Sequence, residues 1–214
     1  MANVCSVPSP ALDWQPTLSS VTGTQPAIDS AFATARRIAL DDGAWVDHSP
    51  GWLQPADPVF ETIVGSAPWE HRTVRMYDRM VEEPRLTAWY GRVLDDTSVP
   101  AILHDMAQAL RARYHRNFDG VGAALYRDGR DSVAWHRDRI DPTLVEPVVA
   151  IVSLGSARAL HMRSRLRKGE SRRFPLLPGD LFVMGGATQT TWEHSVPKVA
   201  SAGARISVQF RHST

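Results

Sequence analysis

Cysteine is almost missing from this chain. Cys5 is the only one in 214 residues, so no disulfide can form within one chain and no thiolate cluster can hold a metal. Any metal would have to be bound by His, Asp or Glu. Net charge is nearly missing as well. The 24 Lys and Arg against 23 Asp and Glu leave +1, which gives no global attraction to nucleic acid or to a membrane surface, although a local basic patch is compatible with it. No apolar run reaches transmembrane length, and no charged n-region followed by an apolar h-region opens the sequence. No fixed-period repeat and no Gln/Asn-rich or acidic tract occurs. What is present is a 43% hydrophobic chain, long enough to bury one sizeable core. The expectation is a cytoplasmic protein with no membrane contact and no obligate protein partner.

Residues 1–27 are rich in Ser, Thr and Pro and lack periodicity, and read as a poorly ordered arm draped on a single domain spanning 28–214. "ARRIALDDGAWVDH" fits either a helix or two strands around an Asp42-Gly43 turn. The hairpin is preferred because Trp45 and Val46 follow directly. "DPVFETIV" predicts a short helix with Asp57 as cap, Pro58 at its first position and Gly65 as its end. "SVPAILHDMAQALRARYHRNF" predicts a longer helix capped by Ser98, with Leu103, Met106, Leu110 and Tyr114 at core spacing. From about residue 119 onward come short apolar or alternating segments bounded by Gly, Pro or Asp. They predict antiparallel strands in a sandwich or barrel. The expected class is α+β, with helices early and a β-rich catalytic half later.

The stretch "SVAWHRD" places His136 and Asp138 two residues apart. On an extended segment both side chains point the same way and can reach one metal. A non-haem iron site of the oxygenase type needs a second imidazole, and His194 in "TWEHSVPK" is the best candidate. In "RISVQFR", Ile206, Val208 and Phe210 alternate with Arg205, Ser207, Gln209 and Arg211. The polar face either sees water or lines a barrel interior. In the second case its two guanidiniums need anions, and a dicarboxylic acid offers one at each end.

These residues, in "LYRDGRDSVAWHRD", "GATQTTWEHSVPK" and "RISVQFR", with "EPRLTAWYG" upstream, resemble the AlkB family of Fe(II)- and 2-oxoglutarate-dependent dioxygenases over roughly residues 45–212. The resemblance implies a double-stranded β-helix (jelly-roll) core with flanking helices and an N-terminal extension. It implies Fe(II) held by His136, Asp138 and His194, and O2 as co-reactant. It further implies 2-oxoglutarate held by Arg205, Arg211 and Tyr126, with Ser207 and Gln209 on the same face. The implied activity is oxidative demethylation of alkylated bases in DNA or RNA, releasing formaldehyde and succinate.

The sequence also departs from that family. Ala124 replaces the asparagine of its N-x-Y, and Ser207 replaces the asparagine two residues after the first arginine of its R-x5-R. Arg139 and Ile140 stand where relatives carry acidic residues, and "RVLDDTSVP" lacks the aromatic expected after "TAWYG". Substrate contacts are therefore sought more widely, in a lid at about residues 66–98 and around the metal motif. The candidates are Met76, Tyr77, Arg79, Trp89, Tyr90, Trp135, Arg139 and Arg163, with Trp69 a further aromatic. The run "SARALHMRSRLRKGESRRF" is either a solvated hairpin or a phosphate contact. Two other readings stay open. One is a related oxygenase of a protein or small molecule. The other is a binding module that keeps the fold without the chemistry.

Overall fold

The computed structural model describes residues 12, 14–16, 23–76, 78–92, 99–138, 140–141 and 143–213. In chain order the elements are β1 (Ala27–Ile28), β2 (Arg36–Asp41), β3 (Ala44–Ser49), β4 (Leu53–Gln54), α1 (Asp57–Ser66), β5 (Glu70–Met76) and β6 (Arg79–Arg92). Then follow α2 (Ala101–Tyr114), β7 (Asn117–Tyr126), β8 (Val133–His136), β9 (Val149–Gly155), β10 (Arg158–Ser164) and β11 (Ser171–Leu176). The chain finishes with β12 (Leu181–Gly186), α3 (Thr188–Thr191), β13 (Trp192–Val196) and β14 (Arg205–Ser213).

Two antiparallel sheets face each other. The larger runs β2-β3-β12-β9-β14-β7-β6-β5 and the smaller β11-β10-β13-β8. This is the double-stranded β-helix expected from the resemblance. The early part is not led by helices, however: six strands precede α2. The β5–β6 hairpin is dense in charge, from Glu70 and Arg72 to Glu82, Glu83 and Arg85, and carries no period-2 apolar pattern that a hydrophobicity reading could find. The preferred hairpin over residues 36–49 is present as β2 and β3.

Strand β14 sits in the middle of the large sheet, between β9 and β7. Its Ile206, Val208 and Phe210 are fully buried in a cluster shared with Leu103, Met106 and Leu110 of α2. Helices cover this outer face, and each such side chain contributes about 1.5–3 kcal/mol by leaving water. Its polar residues therefore point inward, towards the small sheet. The second apolar cluster lies between the sheets, with Tyr126, Ile151, Leu160, Met162, Trp192 and Val196 among its members.

Helix ends differ from expectation. Ala56, not Asp57, is the N-cap of α1, without a side-chain cap bond, and Gly65 lies inside the helix. Pro100 precedes α2, and Ser98 lies outside the described residues. The helix stops at His115, whose left-handed φ of 53° lets its N–H donate to the Arg111 carbonyl. Within the N-terminal arm, Trp14 packs on Phe60 at 4.6 Å between ring centres. Among the described residues, no helix is long and apolar enough to cross a membrane.

Candidate active site

Strands β8 and β13 pair antiparallel with His136 directly opposite His194. The two rings lie 4.3 Å apart. Asp138 follows two residues beyond His136, and one ligand atom from each of the three residues falls within 4.8 Å of the others. Each group is prepared for a cation. His136 Nδ1 lies 2.8 Å from the Ala134 carbonyl oxygen, which can only accept, so Nδ1 donates to it and Nε2 is the nitrogen left for a metal. Burial pushes the His194 pKa down to about 4, against the opposing pull of Asp138, so its ring is neutral at physiological pH. Burial opposes ionisation of Asp138, but His194 and the Arg211 guanidinium overcome it and hold its pKa below the ordinary carboxylate value. Two imidazoles and one carboxylate, with no thiolate, fit a divalent iron ion with open positions.

A second layer fixes the carboxylate. Arg211 Nη2 donates to Asp138 Oδ1 at 2.6 Å, and Gln189 Nε2 donates to Asp138 Oδ2 at 3.2 Å. The Asp138 N–H in turn donates to Gln189 Oε1 at 3.1 Å. Gln189 lies within "GATQTTWEH", but its part in the site was not readable, because it acts on a residue 51 positions away.

The three ligands open on a cavity of about 330 Å³ that is also lined by Tyr126, Arg205, Ser207, Gln209 and Arg211. Arg205 is only 1% exposed. Its Nε donates to Ser153 Oγ at 3.1 Å, its guanidinium lies over the Tyr126 ring at 5.3 Å, and its Nη1 has no partner among the described residues. Burial lowers its pKa to about 10, which still leaves it a cation. A buried guanidinium with an idle donor calls for an anion, and the cavity beside it is where a carboxylate would go. The two arginines of "RISVQFR" thus differ: Arg205 waits at the closed end, while Arg211 is engaged with Asp138. Two of the departures from the family also meet in space, since Ser207 and Ala124 are opposite partners on β14 and β7. Gln209 Nε2 folds back on this spot, donating to Ser207 Oγ and to the Ser207 carbonyl, each at 3.0 Å.

On the solvent side a wider groove of about 740 Å³ runs between β6 and β8. Alternation on β6 sends Arg85, Thr87 and Trp89 towards the cavity, and Leu86, Ala88 and Tyr90 into or against the core. Trp89 is 58% exposed and lies flat on β7, where a Cβ at Gly120 or Gly122 would come within 3.1 or 3.2 Å of its ring. Tyr90 packs on the opposite face and is withdrawn as a base-stacking candidate. Trp69 is buried, with its indole N–H donating to the Val64 carbonyl, and belongs to the core. Trp135 lines the groove. Arg163 stacks on it from the outer face of the small sheet, 4.5 Å from the ring centre. Met76 and Arg79 are backbone partners in the β5–β6 hairpin, while Tyr77 and Arg139 lie outside the described residues. In the arginine-rich hairpin of β10 and β11, Arg167 and Arg172 both approach Glu170 at 3.7 Å, and Arg165 donates to the Thr190 carbonyl.

The family model described as "2OG-Fe(II) oxygenase superfamily" matches residues 48–211, a span that contains every ligand named above. The chain belongs to the 2OG-Fe(II) oxygenase superfamily. Among curated members of known name, the alkB homolog 3 dioxygenase of Bos taurus is 35% identical over 183 residues, covering 76% of this chain and 64% of that protein. The Homo sapiens counterpart is 33% identical with the same coverage. The chain thus spans 64% of the length of these relatives. The DNA oxidative demethylase ALKBH2 of Arabidopsis thaliana is 24% identical over 237 residues, covering 91% of this chain and 74% of that one. The solved structure of OsALKBH1 superposes with a TM-score of 0.54 at 13% identity, over 83% of this chain and all of that one, which supports the fold.

Proposed function

We propose that this protein is an oxidative demethylase of alkylated bases in DNA or RNA, using Fe(II), 2-oxoglutarate and O2. The observation that carries the reading is the buried Nη1 of Arg205, without a partner among the described residues, at the closed end of the cavity onto which His136, Asp138 and His194 open. A protein that kept the fold only for binding would have no use for that buried cation. The bound ion supplies the oxidising chemistry together with oxygen and the keto acid. The chain's residues supply position and charge. Arg205, steadied by Tyr126 and Ser153, takes the far carboxylate of 2-oxoglutarate, with Ser207 and Gln209 beside it. His136, Asp138 and His194 hold the ion, and Arg211 and Gln189 keep the Asp138 carboxylate in one orientation. Trp89, at the junction of cavity and groove, stacks the target base, and the β5–β6 hairpin serves as the lid over it. Hydroxylation of the N-methyl carbon consumes 2-oxoglutarate and O2 and gives succinate, carbon dioxide and a hemiaminal. The hemiaminal then loses formaldehyde and leaves the unmodified base. The nucleic-acid substrate is supported by the similarity to proteins named as an alkB homolog and a DNA oxidative demethylase. The single cysteine favours a reducing, cytoplasmic setting.

The test is mass spectrometry of a panel of methylated oligonucleotides after incubation with protein, Fe(II) and 2-oxoglutarate. Loss of the methyl group coupled to succinate formation is expected, with both abolished in His136→Ala. Succinate formation with a protein or small-molecule substrate, and none with any oligonucleotide, would overturn the nucleic-acid assignment.

A further inference from the structure

Two exposed tryptophans border the same groove, but only one of them also reaches the inner cavity. Trp89 lines the inner cavity that holds the three ligands as well as the outer groove. Trp135 lines the groove, but the inner cavity's described lining does not include it. The reason is its place on β8. Trp135 precedes His136, so alternation turns it away from the metal chamber.

Trp135 is also held ready. Its residue is 37% exposed, and the Arg163 guanidinium lies 4.5 Å from its ring centre. Arg163 and Glu193 are cross-strand partners on β10 and β13, and Arg163 donates to Glu193 Oε2 through Nε at 2.9 Å and Nη2 at 2.7 Å. A guanidinium fixed in this fork restrains the indole and covers one of its faces. The ring's other face remains, in a groove that carries the exposed cations Arg72 and Arg137, while its carboxylates Glu82 and Glu83 are paired with His71 and Arg85. An oriented aromatic face beside cations is the chemistry that binds a nucleobase and its phosphate, with little dependence on sequence.

Resting on the demethylase reading, we infer that Trp135 is a second nucleobase subsite, which stacks a nucleotide next to the target base. The substrate is then a nucleic acid of at least two nucleotides, whose neighbouring base leaves its own stack to meet Trp135. The Arg163–Glu193 pair is the positioning device of this subsite.

Two measurements test this on the full chain. The first is fluorescence anisotropy, without oxygen and with Mn(II) and 2-oxoglutarate present. The probe is a labelled single-stranded pentanucleotide carrying one central methylated base. Trp135→Ala raises its Kd about tenfold, and Trp135→Phe, which keeps an aromatic face, recovers most of that loss. The second is the ratio of kcat/KM on the methylated pentanucleotide to that on the methylated mononucleotide. This ratio falls about tenfold in Trp135→Ala. Equal Kd in wild type and variant, or an unchanged ratio, overturns the subsite while leaving the demethylase reading intact. Binding that depends on Trp135 with no turnover of either substrate sinks the demethylase reading and leaves the subsite standing. Failure of the wild-type protein to bind the pentanucleotide, or equal competition by an acidic peptide, overturns the subsite in favour of another partner.

Discussion

Arg211 Nη2 stands 2.6 Å from Asp138 Oδ1, so a strand of the large sheet grips the carboxylate that follows an edge strand of the small one. On the proposed reading, Arg211 is a partner of the candidate metal-ligand carboxylate while it also lines the cosubstrate cavity. Arg211→Lys keeps the charge but loses the planar fork. Its expected effect is a drop in metal affinity of roughly 10- to 100-fold, the usual consequence of losing a partner of a metal ligand. Anaerobic titration with Mn(II) or Co(II) reads it. Unchanged metal affinity would mean that the contact plays no part in holding the ion.

On the same reading, Arg205 serves the cosubstrate. Arg205→Met is expected to weaken 2-oxoglutarate by roughly 100-fold or more, since the buried partner of its carboxylate is lost. The same change removes a buried cation with an unused donor. The protein without cosubstrate should therefore melt a few degrees higher than wild type, at about 2–4 °C per kcal/mol for a chain of this size. Calorimetry with and without 2-oxoglutarate reads both effects. A lower Tm in the variant without cosubstrate would contradict the view that Arg205 is kept for a ligand.

Trp89 rests on Gly120 and Gly122. Trp89→Ala is expected to raise KM for a methylated oligonucleotide about tenfold through the lost stacking face. Gly122→Ala is subtler, because its Cβ would lie 3.2 Å from Trp89 Cε3 and the ring must move by a few tenths of an ångström. A several-fold rise in KM with an unchanged Tm is the outcome expected of a displaced but intact platform. No change in KM for either variant would remove Trp89 from the substrate site.

Asp180 carries a stability prediction. Its Oδ2 accepts from the Leu177 N–H and meets His48 Nε2, both at 3.0 Å, while Oδ1 accepts from the Gly51 N–H at 2.9 Å. Burial alone would raise its pKa, but His48 and the two backbone donors outweigh it and lower the value. A carboxylate with a depressed folded pKa stabilises the fold above its unfolded pKa, near 4, and that contribution is lost as pH falls through the folded value. Asp180→Asn should cost about 2–3 kcal/mol at neutral pH by leaving buried donors poorly served. It should also flatten the stability profile below about pH 4. Urea unfolding across pH reads this, and a profile parallel to wild type would refute it.

Much of the site was legible because it is local. His136 and Asp138 share one extended segment, and the period-2 pattern of β14 announces one apolar and one polar face. Which face met water was not legible. That depended on α1 and α2 covering Ile206, Val208 and Phe210, a fact of packing rather than of the strand. Trp89 and Tyr90 look equivalent in sequence, and only the pairing of β6 with β7 separates them, with a shift of register at Trp89/Gly91. Partners far along the chain were beyond reach: Gln189 for Asp138, Ser153 for Arg205, Glu193 for Arg163. Their hydroxyl, amide and carboxyl groups carry no pattern of their own until the sheets bring them together.

The two candidate metal-binding histidines stand on neighbouring strands of the small sheet, whereas Arg205, Ser207, Gln209 and Tyr126 stand on β14 and β7 of the large one. On the proposed reading, ion and keto acid would be held from opposite walls of the sandwich. Slippage between the walls would lengthen the span between them before it disturbed either set of side chains. The rate would then fall through slackness alone, with every contact still in place.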